Sequence, residues 1–305
     1  MESAASPARS NVASPAHSNV GEPTAELRAQ GITTWAPCDE VGAATHVGRT
    51  HERDEDAVEV HRVERDGDPF TVMVVCDGVS SSSRGDLAAA VAARAAAEVA
   101  LSEAGGEGEL SDDHRAHLLR TAAHVAHEAV CAAHIDLVDG KDPSGTTLVA
   151  ALIYRGRADV VWVGDSRAYL LSAPTDAAPV DICLLLTHDH SWVNLVVDRG
   201  EMTEEEAEAA PLAHAITRCI GPVESTDPAQ PAEPGHSHAV VPPGSRLILC
   251  SDGVSNYGSS PAAFSDLVGS VTGWTSAGDL ASGLVAAALR LGGDDDMTAA
   301  VAILP

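Results

Sequence analysis

Three apolar runs in the sequence end in an acid. Residues 70–76 lead into Asp77-Gly78, residues 158–164 into Asp165, and residues 246–250 into Ser251-Asp252-Gly253. The first and third share the string Asp-Gly-Val-Ser, at 77–80 and 252–255. A carboxylate just past a buried strand stands on a rigid support, as a metal site requires. The glycine after it lets the backbone turn sharply and bare a carbonyl as a further oxygen ligand. Oxygen donors of this kind suit Mg²⁺ or Mn²⁺. Two more acidic groups frame the set, Glu55-Asp56 ahead of the first strand and Asp294-Asp295-Asp296 ahead of the last. A lone Asp-Gly is more often a turn, and Asp165-Ser166-Arg167 can simply close a strand. The joint order along one chain is what favours metal chemistry.

The elements that must carry these acids can be read from pattern. Strands are expected at 57–63 and 70–76 around the turn-forming Asp66-Gly67-Asp68-Pro69. A helix follows at 86–101, nearly all Ala and Val, and a second runs from an N-cap at Ser111 to about residue 137. Runs 146–154 and 158–171, separated by Arg155-Gly156-Arg157, read as a hairpin. Further strands fall at 182–186, 246–250 and 298–304, with a helix near 278–291. Residues 191–217 read as helix, acidic loop and short helix. Hairpins without regular strand-helix alternation predict antiparallel sheets covered by helices. Neither a phosphate-binding G-x-x-x-x-G-K-[ST] nor a dinucleotide-binding G-x-G-x-x-G is present.

Composition sets outer limits. The 305 residues are enough for one large domain or two ordinary ones, and 45% apolar with 21% charged is a globular mix. Eighteen basic against 45 acidic residues give a formal charge of −27, which argues against nucleic acid and anionic membranes as partners. Six cysteines are scattered with no C-x-x-C pair, the pattern of reduced core thiols. With no apolar leader and no apolar run of ~18 residues, a soluble cytoplasmic protein is expected. Residues 1–30, rich in Ser, Ala, Pro and Asn, read as a flexible tail containing an imperfect repeat from Ser6 and from Ser14. A docking or phosphorylation role for that tail stays open.

The ordered motifs resemble the metal-dependent protein phosphatases of the type 2C (PPM) family, in its bacterial form. The matching strings are Arg53-Asp54-Glu55-Asp56-Ala57, Val74-Val75-Cys76-Asp77-Gly78, Ser144-Gly145-Thr146-Thr147 and Gly164-Asp165-Ser166-Arg167. Downstream follow Thr187-His188-Asp189-His190-Ser191, Thr217-Arg218-Cys219-Ile220-Gly221, Ser251-Asp252-Gly253-Val254 and Asp295-Asp296-Met297-Thr298. Together they cover a domain from 31 to 305. The resemblance implies a four-layer α/β/β/α sandwich of two antiparallel sheets flanked by helices, with two cations, Mn²⁺ or Mg²⁺, in the cleft. It implies that Asp77 bridges the ions, that Asp252 and Asp295 complete the first site, and that the Gly78 carbonyl serves the second with Asp56 nearby. Asp142, three residues before Gly145, would hold a weaker third ion together with Asp252. Residues 192–215 would form a mobile flap, with the 204–208 run a solvated helix face. The implied reaction is hydrolysis of phosphoserine or phosphothreonine in proteins by a hydroxide held between the metals. The implied partners are phosphoprotein substrates and a cognate Ser/Thr kinase pathway, and the protein is expected to be a monomer.

Two departures from the family pattern qualify that picture. The family's phosphate-clamping arginine is replaced by His51, which is not its equivalent. If the segment is extended, Arg49, His51 and Arg53 share one face and an arginine could bind the phosphate instead. Asp54 in place of Asn adds negative charge beside the anion, and Asp296, also in place of Asn, should favour metal capture. His51 and Asp54 motivate an alternative, a pseudophosphatase or phosphoprotein-binding regulator with weak turnover. Val79 stands where some relatives carry a histidine acid, and Ser80–Ser83 should stiffen a loop that is usually glycine-rich. His117, His124, His127 and His134 are read as the solvent side of the second helix, opposite Leu118, Ala122, Val125, Ala129 and Ala133, not as a metal store. His188 and His190 are expected to make structural hydrogen bonds.

Overall fold

The computed structural model describes residues 30–133, 135, 141–173, 182–222 and 233–304. Except for Gln30, the expected N-terminal tail lies outside them, as does His134. Two type I′ turns start the architecture. Asp66 and Gly67 both take positive φ, as do Arg155 and Gly156, and this geometry matches the twist of the flanking strands. They close hairpins between β3 (Asp56–Arg65) and β4 (Asp68–Asp77), and between β5 (Leu148–Tyr154) and β6 (Arg157–Val163). With β9 (Gly235–Val240) these strands form a five-stranded antiparallel sheet in the order β3-β4-β5-β6-β9. A six-stranded antiparallel sheet packs against it in the order β1-β2-β11-β10-β7-β8. Its strands are β1 (Thr33–Cys38), β2 (Val41–His46), β7 (Arg167–Ser172), β8 (Ile182–Leu185), β10 (Arg246–Cys250) and β11 (Met297–Ile303).

The outer faces are covered by helices. α1 (Gly85–Leu101) and α2 (Asp112–Ala132) lie on the five-stranded sheet. Ala88, Ala89, Ala92, Ala93, Ala96, Ala97 and Ala100 are all buried along α1, so small side chains bring its axis close to the sheet. α6 (Pro261–Ser270) and α7 (Ala277–Leu291) cover the other sheet. Between the sheets, Met73, Val75, Val149 and Ala151 meet Val41, Ala43, Leu247, Leu249 and Ala300. Val72, Val74 and Cys76 alternate outward to the helices. Burial on both faces is why β4 and β5 read as continuous apolar runs. The expected α/β/β/α sandwich is the one observed. Among the described residues, no helix is long and apolar enough to cross a membrane.

Several expected elements differ. The run 158–171 is two strands in different sheets, β6 and β7. Gly164 breaks it at φ +101, and a Cβ there would lie 2.7 Å from the Thr147 side chain. Within the stretch expected as an acidic loop, the 204–208 run is the solvated helix that the resemblance implied, α4 (Glu204–Glu208), opened by a Thr203/Glu206 capping box. It follows α3 (Trp192–Asp198), and the residues after it are turns with no second short helix. α2 ends at Ala132, five residues before the expected end. Its buried face runs through Leu118, Leu119, Ala122, Ala123, Ala126 and Val130, while Ala133 is exposed. His117 and His124 face solvent as expected, but His127 is half-buried and its Nδ1 accepts the Gly221 N–H at 3.2 Å.

β2 and α7 meet with no side chain between them. A Cβ on Gly42 would lie 2.5 Å from the Gly278 nitrogen, and neither backbone can yield without shifting a whole element. Gly42→Ala is therefore expected to cost ~1–3 kcal/mol of unfolding free energy, as overpacked sites do. Urea denaturation of the two proteins would show it, and an unchanged midpoint would mean the helix shifts freely.

Candidate metal centre

The acids that end β4 and β10 come together where the two sheets adjoin. Asp77 is the last residue of β4, and Asp252 opens α5 (Asp252–Ser255) directly after β10. The Asp77 backbone is pinned three times: its N–H donates to Thr147 Oγ1 (3.0 Å), and its carbonyl accepts the Thr147 N–H (2.8 Å) and the Thr146 hydroxyl (2.9 Å). Asp56 lies directly across the β3–β4 ladder from Asp77. The Ser251 hydroxyl donates to Asp56 Oδ2 at 2.8 Å, so the first strand of one sheet is joined to the last turn of the other.

These carboxyls press on one another. Burial, and then the charges of Asp56, Asp252, Asp165 and Asp295, push Asp77 well above the usual carboxyl range. Burial and the neighbouring Asp54 do the same to Asp56. Asp252 is raised by burial and by Asp295, against a lowering contact with Asp77 itself. Sequence reasoning noticed Asp165 but left it out of the site. Burial, with Asp252 and Asp189 facing it, raises it to about 8. The signal was its place at the end of the second apolar run.

Among the described residues, no group of three or more His, Cys, Asp or Glu side chains stands in a ready-made metal-binding arrangement. The donor set nevertheless fits hard divalent cations. Asp56 Oδ1 and Asp252 Oδ1 are buried without any hydrogen-bond partner, and a buried unpartnered carboxylate oxygen is costly unless a cation balances it. Mg²⁺-like ions keep several waters and need only one or two protein carboxylates, so a closed cage is not required. Gly78 completes the approach. A Cβ there would strike the Gly85 backbone at 2.6 Å and the Glu55 carbonyl at 2.7 Å.

The segment before Asp56 is a compact turn and not an extended strand, which removes the expected alternation of Arg49, His51 and Arg53. The His51 N–H closes a turn onto the Gly48 carbonyl (3.2 Å), and Arg49 N–H and Thr50 N–H donate to the Gly293 and Asp294 carbonyls. Asp296 buckles the loop: it is 2% exposed and accepts the N–H of Gly48 (2.7 Å) and of Glu55 (2.6 Å). Its carboxylate therefore secures backbone. His51 turns inward, with Nδ1 3.0 Å from Asp296 and 3.6 Å from Asp295. The first of these is a contact of charges without the alignment of a hydrogen bond. Burial opposes charge on this ring, but Asp296, Asp295 and Glu55 outweigh it and raise its pKa.

The remaining expected residues fall outside the cluster. Arg49 reaches the Leu289 carbonyl (3.0 Å) and Arg53 reaches Asp86 (3.3 Å). Asp54 is engaged within the protein. It accepts the Thr45 hydroxyl (2.7 Å) and the Asp56 N–H (3.1 Å), an inward Asx-type bond. Asp142 is exposed, its backbone paired with Ser81 and Ser83, and none of the described contacts joins its side chain to Asp252. The serine loop is tied down as expected: Ser82 Oγ accepts the Gly145 N–H, Ser144 Oγ donates to the Ser83 carbonyl, and Lys141 Nζ donates to the Ser80 carbonyl.

Residues 192–215 carry α3 and α4 as a side lobe. Its two ends are joined, Trp192 N–H donating to Ala215 O (2.8 Å) and Thr217 N–H to His190 O (2.7 Å). His190 Nδ1 accepts the Gly164 N–H (3.2 Å), and burial with the nearby Arg218 lowers its pKa to about 4. It is thus a neutral structural group, as expected, while His188 pairs with Asp198 at 2.9 Å. Beyond the lobe, Ile220 and Thr146 exchange both backbone bonds (2.7 and 3.0 Å), which links the lobe's base to the strand beside Asp77.

Comparison with known proteins identifies the family. Residues 45–289 match the family model described as protein phosphatase 2C. The serine/threonine protein phosphatase PstP of Mycobacterium tuberculosis is 30% identical over 231 residues, 76% of this chain but 40% of the relative. The chain thus spans well under half the length of that curated relative. The protein phosphatase PhpP of Streptococcus pneumoniae is 28% identical over 269 residues, 86% of this chain and 96% of the relative. The crystal structure of the PstP catalytic domain in complex with two manganese ions superimposes with a TM-score of 0.63 at 26% identity, covering 90% of this chain and 98% of that one.

Charge repulsion in the cluster has a sign that solution work can read. Asp56, Asp77, Asp252 and Asp165 all hold their protons more tightly folded than unfolded. Between the ordinary carboxyl range and about 8, the cation-free fold binds more protons than the unfolded chain, so its stability falls as pH rises. Melting in chelator should move down from about pH 5 to about pH 8, and Mn²⁺ or Mg²⁺ at ~100 times its dissociation constant should return ~2.7 kcal/mol. A melting temperature that climbs with pH in chelator would contradict the assignment.

Proposed function

Because the chain belongs to the protein phosphatase 2C family, we propose that it hydrolyses phosphoserine and phosphothreonine in proteins, using divalent cations held where its two sheets adjoin. The observation that carries this is the convergence of Asp77 and Asp252 from separate sheets, with Asp252 Oδ1 buried and unpartnered. Asp77, Asp252 and Asp295 would hold the cations, with the Gly78 carbonyl and Asp56 on the far side and Asp165 facing Asp252. A third ion at Asp142 would need that exposed side chain to swing toward Asp252. Cations bound there would supply Lewis acidity to a phosphoryl oxygen and a water acidic enough to act near neutral pH.

The chain's own contribution is placement. Threonines 146 and 147 lock the Asp77 backbone, so the carboxylate arrives at a fixed angle. Ser251 orients Asp56 beneath it. The buckle at Asp296 keeps the 48–55 loop closed over the same edge. Both residues that motivated a binding-only protein have partners within the fold, Asp54 on Thr45 and His51 on Asp296, which supports the enzymatic reading. Substrates would come from a Ser/Thr kinase acting in the same compartment. Six cysteines, all unpaired, support a reducing one such as the cytoplasm.

Wild type should release phosphate from a phosphothreonine peptide with Mn²⁺ and not with chelator. Asp252→Ala should lower kcat by about a thousandfold or more, the scale on which removing key electrostatic groups acts. Wild-type protein that binds Mn²⁺ yet releases no phosphate would refute the reading.

A further inference from the structure

His51 occupies the position of the expected phosphate clamp but turns onto Asp295 and Asp296, so the substrate's anion needs another partner. In a chain with 18 basic and 45 acidic residues, two guanidiniums meet on one carboxylate at the rim of the acidic centre. Arg84 holds Asp86 with Nε on Oδ1 and Nη2 on Oδ2, both at 2.9 Å. Arg53 Nη1 reaches the same Oδ2 at 3.3 Å. Both side chains stay partly open to solvent, 40% for Arg84 and 57% for Arg53.

Their origin places them beside Asp77. Arg84 directly precedes Gly85, and Arg53 stands two residues before Glu55. The Gly85 backbone and the Glu55 carbonyl are the two walls that press on Gly78, the residue after Asp77. Arg84 also adopts φ 52°, ψ 53°, a left-handed conformation that a side-chain-bearing residue rarely takes and that glycine takes freely. Observed strain of this kind marks positions held for function. The bidentate grip of Asp86 takes the Nε/Nη2 edge of Arg84 and fixes the plane of its guanidinium, so that a phosphate would approach the other, Nη edge.

We propose that Arg84, set by Asp86 and assisted by Arg53, binds the phosphoryl group of the substrate in place of the missing clamp. This rests on the phosphatase reading but is tested separately from it. Arg84→Gly removes the guanidinium and relieves the backbone at once, while Arg94→Ala on the exposed face of α1 serves as control. In the Mn²⁺-loaded full chain, KM of Arg84→Gly should rise about tenfold for both p-nitrophenyl phosphate and a phosphothreonine peptide, with kcat changing less. Arg53→Ala should show a smaller rise of the same kind. The melting temperature of Arg84→Gly should hold or increase, which a merely structural arginine would not allow. Calorimetric affinity for inorganic phosphate, which needs no turnover, should fall by the same factor. Unchanged KM and phosphate affinity would overturn the assignment, and so would a rise confined to the peptide or wild-type protein that binds no phosphate. Wild type that binds phosphate through Arg84 but hydrolyses nothing would fail the phosphatase reading alone.

Discussion

Like charges brought together away from water are the constraint on which this structure turns. Asp56, Asp77, Asp165, Asp252 and Asp295 face one another, and left on loops they would spread until solvent screened them. Asp77 and Asp252 cannot spread here, because strands buried on both faces, β4 and β10, carry them. β4 is fixed by β3 and β5 on its two edges, and β10 by β7 and β11. The hydrogen bonds around Asp77 and the Ser251–Asp56 contact then act as restraints on direction. Folding without a cation therefore stores repulsion that a cation would relieve, and binding and folding are linked through the same side chains.

Much of the fold was legible because the pattern rules are local. The two hairpins announced themselves through Asp66-Gly67 and Arg155-Gly156, whose backbones take the positive φ the turns demand. The strand-ending acids were legible for the same reason, since an apolar run stops where its support stops. Two omissions were local as well. α6 begins at Ser260-Pro261, an N-cap followed by a proline at the first helical turn, and this signal was present but unused. β9 alternates only weakly between buried and exposed positions, so little in its sequence distinguishes it from a loop.

What could not be read depends on partners distant in sequence. The 48–55 segment resembled an extended strand until Asp296, more than 240 residues away, was seen to hold two of its backbone N–H groups. That single side chain also meets His51 at 3.0 Å. The run 158–171 is broken only by Gly164-Asp165-Ser166, which a tight hairpin turn would also fit, and the packing of Gly164 on Thr147 shows that one sheet hands the chain to the other there. His127 was placed on the solvent side by its helical position, and the Gly221 loop that covers it lies 94 residues on. In each case local periodicity was sound and a long-range contact decided the outcome.

The side lobe has a consequence of a different kind. It leaves and rejoins the sandwich through one narrow neck, where Trp192 meets Ala215 and His190 meets Thr217. Nothing between those points supplies a strand to either sheet. Natural variation can therefore rewrite this stretch as a cassette while the strands that carry the acids are inherited unchanged. Divergence within such a lineage should concentrate inside the neck, where insertions and substitutions leave the two sheets in register.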